Sequence, residues 1–284
     1  MANSIAKFKA YVPMLDEVYQ NASLTAVLDS DSSLFQAGAN ANEIIIPKMQ
    51  LQGLADYDRN SGYTNGDVTL TNETVSFNYE RGRMFSVDAM DNEETAGVAY
   101  GKLAGEFIRT KVVPELDAVR IAQYANLAGT KATPADLSGD DWYKEVSAGN
   151  RVLTDNEVPL EDRYLFIKAE GEQAIADMDT TKSRAFMSKF AAVIVVPSSR
   201  MYSAVTLATS GAGGYSKASG AKDVNFIIAS KSAVLQTIKH ASPKVITPEA
   251  NQDADAWKFG YRIYGLNDLL ENKVKGVYVH CATT

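Results

Sequence analysis

The feature that most constrains this chain is a change of period. Residues 43 to 88 alternate polar and apolar in the two-residue repeat of strands, and residues 91 to 127 continue in the three-to-four-residue repeat of one long helix. Paired strands around a long polar loop, with no visible core of their own and a rod directly behind them, make a shape suited to reaching other copies of the same molecule. The pattern points to assembly rather than catalysis.

The strand half is read residue by residue. Ile44-Ile45-Ile46 is β-branched, and Met49 and Leu51 alternate with Lys48, Gln50 and Gln52, as in a half-buried strand. Pro47 cannot donate to a ladder and argues for an edge position. Beyond a loop rich in Asp, Asn, Ser and Gly, Val68 and Leu70 form one alternating run and Val75, Phe77 and Tyr79 a second, which predicts antiparallel neighbours turning at Asn72-Glu73. A last strand holds Phe85 and Val87.

Asp91-Asn92-Glu93-Glu94 supplies an N-cap candidate and first-turn acids for the helix, whose stripe runs Leu103, Phe107, Ile108, Val112, Leu116, Val119 and Ala122. Continuous to Leu127, it would be about 50 Å long, with a kink at Pro114. Ahead of the ribbon, residues 1 to 42 read as a partly self-packed arm, with weak helical character from Tyr11 to Leu28. Behind the helix the chain alternates. Helices are predicted at Trp142–Leu153, Ala169–Asp177 and from Pro197 through Ala208. Strands are predicted at Tyr164–Ile167, Ala191–Val196 (buried), Phe226–Ala229, Lys244–Thr247, Tyr261–Tyr264 and Gly276–Val279, and a mobile loop at 209 to 223. This is an α+β pattern.

Composition narrows the function. At 284 residues, 45% hydrophobic and 22% charged, the chain can bury a substantial core in one or two domains. A net charge of -7 with no basic run disfavours sequence-specific nucleic-acid binding. Residues 1 to 10 lack the apolar stretch of a secretory signal, and the longest apolar run, Ala191–Pro197, falls far below the roughly 18 residues of a membrane span. The expectation is an intracellular protein without cofactors. One cysteine, Cys281, and two histidines, His240 and His280, leave little metal or disulfide chemistry.

Catalytic and ligand patterns are weak. Asp56, Asp58, Asn60 and Asp67 stand at positions one, three, five and twelve of a calcium loop, but glycine falls at the seventh position, Asp replaces the final Glu, and strands flank it. A solvated hairpin tip explains the same residues. Gly211-Ala212-Gly213-Gly214 lacks the lysine of a phosphate cradle. Ser198-Ser199 lacks a nucleophile elbow and suits helix capping. His280 and Cys281, as strand neighbours, face opposite ways. Acid pairs such as Glu93-Glu94 and Asp140-Asp141 sit where turns and helix starts want them. No enzyme is expected.

Several segments, taken in order, resemble the major capsid proteins of tailed bacteriophages, the Hong Kong 97-type shell fold. They are Ile46-Pro47-Lys48-Met49, residues Gly66 to Thr71, Arg81-Gly82-Arg83, Asp91 to Thr95, Gly105 to Asp117, Tyr264 to Asp268 and Lys275 to Val279. The resemblance implies an N-terminal arm (1-42), an extended β-hairpin loop lying over a neighbouring subunit (43-90), a spine helix with a peripheral domain (91-154), an axial domain (155-255) and C-terminal strands returning to the peripheral domain (256-284). It also implies self-assembly into pentamers and hexamers of an icosahedral virion shell around double-stranded DNA. About 40 residues precede the ribbon, so a separate scaffolding protein, with a portal, is expected. No lysine lies between Tyr57 and Asp67, so a non-covalent shell is expected. Tyr57, Arg59, Tyr63, Arg81 and Arg83 are the expected interface contacts, because tyrosine and arginine are enriched in interface cores. An encapsulin-like compartment shell is the alternative, with a calcium-binding surface protein or an unrelated hydrolase behind it.

Overall fold

The computed structural model describes residues 23–30, 36–37, 42–60, 62–90 and 98–284. The chain divides into two compact units, residues 31–78 and residues 1–30 with 79–284. The expected helical character from Tyr11, beyond its last residues, and the N-cap at Asp91 lie outside the described residues.

The smaller unit is the ribbon. Strands β1 (Gln36–Ala37), β2 (Glu43–Leu51) and β3 (Val68–Ser76) form one antiparallel sheet in that order. Among the described residues β1 reaches only Ile44 and Ile45, and Pro47 pairs with β3 alone. The turn expected at Asn72-Glu73 does not exist. β3 runs straight through it, with Pro47 opposite Asn72 and Ile46 opposite Glu73, and Lys48 Nζ 2.9 Å from Glu73 Oε2. Two alternating runs in phase are one strand when nothing between them forces the chain to reverse.

In the larger unit, strand β4 (Tyr79–Asp88) pairs with a late strand rather than with β3. The long helix follows as α1 (Val98–Phe107), a π-helical turn (Ile108–Val112) and α2 (Val113–Leu127), about 45 Å of helix. The expected irregularity at Pro114 is this π turn. Proline offers no N–H to the preceding turn and crowds its carbonyl, and widening that turn relieves both.

Next come β5 (Thr130–Lys131), α3 (Asp141–Asp155), β6 (Arg163–Lys168), α4 (Ala169–Ala176), α5 (Thr180–Met187) and β7 (Ala192–Val196). β8 (Val205–Leu207) and β9 (Tyr215–Lys217) form a hairpin, and β10 (Val224–Ser230), β11 (Val234–Ile246), β12 (Ala256–Leu269) and β13 (Val277–Cys281) complete the chain. The helix expected through Ala208 is a single 3-10 turn, Ser198–Arg200, and the expected loop 209 to 223 contains β9. β7 is an edge strand, half-buried rather than buried, because only β6 pairs with it.

A five-stranded sheet, β5-β13-β10-β6-β7, is covered on both faces. Its middle strand, β10, is buried at every position, which explains the unbroken apolar run Phe226–Ala229 within it. Phe166 and Ile227 face α2 through Ile121 and Tyr124. Leu165, Ile167 and Ile228 face α3 through Trp142, Val146 and Leu153. A separate antiparallel sheet, β11-β12-β4, packs Phe259, Tyr261 and Ile263 against Ile108, Val112 and Leu116 of the long helix.

The described end of the expected arm is not loosely packed. Leu28 is wholly buried in the core with Ile121 and Tyr124. Asp117 of α2, fully buried, accepts from Ser23 Oγ (2.9 Å), Leu24 N (3.1 Å), Thr25 Oγ1 (2.7 Å) and Arg200 Nη1 (3.1 Å). Arg120, one turn on and equally buried, donates to Asn267 Oδ1 and Thr25 Oγ1, and pairs with Asp29 at 3.3 Å. Gln236 of β11 donates to Thr25 O and Asp29 Oδ1, both at 2.7 Å. Residues 23–30 are thus a strap whose polar groups meet two buried charges, Asp117 and Arg120.

Candidate assembly surface

The ribbon's register places Met49 opposite Leu70 and Leu51 opposite Val68. Facing residues of an antiparallel pair share one side of the sheet, so these four form a single apolar patch. All are 60–68% exposed. Near the ribbon's base only Ile44 and Val75, opposite one another, are buried. Sequence reasoning marked Met49, Leu51, Val68 and Leu70 as strand residues but did not name them as contacts. The alternation was the signal, since a strand patterned for half burial leaves its apolar side exposed here among the described residues.

At the ribbon's end Tyr57 and Tyr63 meet edge to face, ring centroids 4.8 Å apart, with Tyr63 88% exposed and Leu54 wholly so. Arg59 is exposed in the same turn. The calcium-like residues are not drawn around a common point. Asp58 is spent on the turn, its Oδ1 accepting from Asn60 N (2.8 Å) and its backbone bonded to Gly62 in both directions. Among the described residues no group of three acidic, histidine or cysteine side chains is placed to hold a metal.

The two ribbon arginines lie on β4, in the larger unit, and both are engaged within the chain. Arg81 Nε donates to Glu115 Oε1 at 2.7 Å with its side chain 26% exposed. The Tyr79 hydroxyl donates to the same oxygen, and burial, with Glu115 beside it, pushes that phenol's pKa well up. Arg83 Nη2 donates to Gly211 O at 2.8 Å. A Cβ on Gly213 would stand 2.7 Å from Arg83 Nη1, so the glycine run lets a loop close over this guanidinium.

These residues border a groove of about 970 Å³ between β4, β12, the long helix and the 208–214 loop. Its wall is aromatic: Phe107 meets Phe85 edge to face at 4.8 Å and Tyr261 at 6.4 Å. Of its acids, Glu115 is paired with Arg81 and Glu106 with Arg109, which leaves Arg83 and the exposed Lys111 as its uncompensated charges. Sequence reasoning did not find this groove, because strands some 180 residues apart build it.

No catalytic arrangement forms around the cysteine. His280 is buried, stacked on Phe226 at 5.3 Å, its Nδ1 3.2 Å from Asn225 Nδ2, and desolvation lowers its pKa. Cys281 packs on the opposite side, against the α2 core, and desolvation raises its thiol. A neutral imidazole and a protonated thiol on opposite faces do not activate one another.

No family model matches the chain, and no curated protein matches it in sequence. Solved structures do match. A chain of Mycobacterium phage Che8 is 17% identical over 85% of each chain, with a TM-score of 0.57. The asymmetric unit of the bacteriophage PhiM1 mature capsid is 10% identical, covers 86% of this chain and 82% of that one, and gives 0.62. The virus-like particle of Pyrococcus furiosus is 10% identical, covers 94% and 95%, and gives 0.56. The fold of this chain is that of phage capsid shells.

Proposed function

We propose that this chain is a structural subunit of a closed shell, the major capsid protein of a tailed double-stranded DNA bacteriophage, assembling as pentamers and hexamers into an icosahedral virion head. The observation that carries this reading is the apolar face of the ribbon. Met49, Leu51, Val68 and Leu70 stand on a two-stranded arm whose own unit does not cover them, and large exposed apolar patches mark interaction sites. Covering such side chains stabilises a contact by on the order of 1 to 2 kcal/mol each. Repeated at every subunit, that suffices to close a shell from modest interfaces. A scaffolding protein, a portal and packaged DNA are the partners such a role calls for, with DNA enclosed rather than recognised, in keeping with the acidic net charge of -7. No lysine stands between Tyr57 and Asp67 to cross-link, and the shell is held non-covalently.

A second reading is an encapsulin-like compartment shell enclosing protein, which a fold shared with the Pyrococcus furiosus virus-like particle over nearly the full length of both chains also accommodates. Electron microscopy of the purified protein, with the ultraviolet absorbance ratio of the particles, tests both. Icosahedral particles holding nucleic acid fit the capsid, particles holding an enzyme fit the compartment, and a monodisperse monomer under all assembly conditions sinks both.

A further inference from the structure

We infer that His280, Asn225 and Ala135 form an acid-sensitive latch, which ties the edge segment 132–140 to the five-stranded sheet while the imidazole is neutral and frees it when the imidazole is protonated. The latch lies within one subunit and stands apart from the shell reading.

It begins with an irregularity in strand pairing. β10 and β13 match Val224 to Cys281 and Phe226 to His280, so Asn225 is an extra residue between two consecutive partners. Such a bulge re-aims a side chain. Regular alternation would send Asn225 and Phe226 to opposite faces, yet both reach His280. Phe226 stacks on the ring at 5.3 Å, and Asn225 Nδ2 lies 3.2 Å from Nδ1.

The other partner of that amide fixes the protons. Asn225 Nδ2 donates to Ala135 O at 3.0 Å, and a carbonyl only accepts, so the nitrogen end of the amide faces both groups. Nδ1 is therefore an acceptor, and the ring proton is on Nε2, 3.9 Å from Glu145 Oε2 of α3. A second proton has only Nδ1 to go to, where it meets the Asn225 amino group, donor against donor. Turning the amide over satisfies the imidazolium but sets oxygen against Ala135 O, and the bond to the segment is lost.

That bond belongs to a short row along the sheet edge. Ala132 N and Ala135 N donate to Val279 O and Cys281 O, and Asp136 accepts from Thr283. Glu145 favours the imidazolium, but desolvation is the larger effect and holds the ring below the ordinary histidine value. Tyr278 on the same strand keeps its proton, Cys281 packs on the opposite side, and Thr283 holds the Asp136 carboxyl below the usual range. The unfolded chain thus takes the proton first. The latch stabilises fully above about pH 6.5 and is lost as pH falls from there toward the lower value of the folded ring.

The test uses full-length protein in which the exposed His240 is replaced, His240→Gln, so that one imidazole remains. Nitrogen-15 NMR at neutral pH is expected to show a neutral ring protonated at Nε2. Amide hydrogen exchange of residues 132–140, corrected for its intrinsic pH dependence, should lose about five-fold in protection as the ring titrates, the effect of one hydrogen bond. β6 should keep its protection, and adding His280→Gln should abolish the pH dependence. A proton on Nδ1 at neutral pH, protection that stays constant while the ring titrates, a loss spread equally over β6, or the same loss without His280 each overturns the latch. Should the His280→Gln chain fail to fold, the tautomer and the exchange of the His240→Gln chain decide alone.

Discussion

At the scale of single residues, two opposite charges one helical turn apart, Asp117 and Arg120, are both without solvent exposure, and each has its own partner, Arg200 at 3.1 Å for Asp117 and Asp29 at 3.3 Å for Arg120. Removing both charges from water is costly, and the ion pair and hydrogen bonds that each makes offset that cost. Asp117 takes donors from Ser23, Leu24, Thr25 and Arg200. Arg120 takes acceptors from Thr25 and Asn267, with Asp29 at its outer side, where burial raises the Asp29 pKa. Removing one member strands the rest. Asp117→Ala is expected to lower unfolding free energy by about 3 to 5 kcal/mol, as breaking a buried pair does. Ser23→Ala, which removes one neutral donor among several, is expected to cost about 1 kcal/mol. Urea denaturation of the two variants checks this, and equal losses would show that the strap's hydroxyls, not the buried charge, set the stability. The sequence displayed none of this, since the partners lie 94 residues before Asp117 at Ser23, 83 after it at Arg200 and 147 after Arg120 at Asn267.

At the scale of elements, the ribbon is the part whose sequence and structure make the sharpest demand on something outside them. Leu51 and Leu70 are diagonal neighbours on its apolar face. Leu51→Lys with Leu70→Glu places opposite charges there, which the ribbon tolerates because diagonal pairs of opposite sign attract. Folding of the soluble protein, read by circular dichroism and melting temperature, should be unchanged while particle yield collapses. Undiminished yield would mean that this face is not buried on assembly. Elements with a strong period were legible in the sequence: the ribbon's alternation, the long helix, α3, β6 and β10. What failed did so for local reasons. Asn72-Glu73 resembled a turn, but strand pairing with β2 overrode a weak turn dipeptide. Residues 198–208 followed a good helix start but gave way to the β8–β9 hairpin, whose pairing lies across the loop rather than along it. Arg81 and Arg83 were chosen because arginine is enriched in interface cores, and what the sequence did not show is that Glu115 and Gly211, distant in sequence, bond them within the chain.

At the scale of the whole molecule, each buried cluster is drawn from residues before Ser30 or after Asn78, so the larger unit carries its own cores. The ribbon contributes none of their members, and its strands pair only with one another. Strand β4, which the sequence assigns to the ribbon, belongs to the larger unit through its three-stranded-sheet neighbour β12 and, beyond it, β11. Excising residues 31–78 and joining Ser30 to Tyr79 through a flexible Gly-Ser linker should therefore leave a folded protein. Shortening a loop closes it more cheaply, by about 0.6 kcal/mol for each halving of its length. The excised protein is expected to unfold in one cooperative transition with a midpoint close to that of the full chain, and to remain monomeric under conditions that assemble the parent. Chemical denaturation and light scattering read the two outcomes separately. A variant that fails to fold would mean that the ribbon stabilises the body it leaves. A variant that folds and still builds particles would place the assembly contacts elsewhere and remove the ribbon from its proposed role.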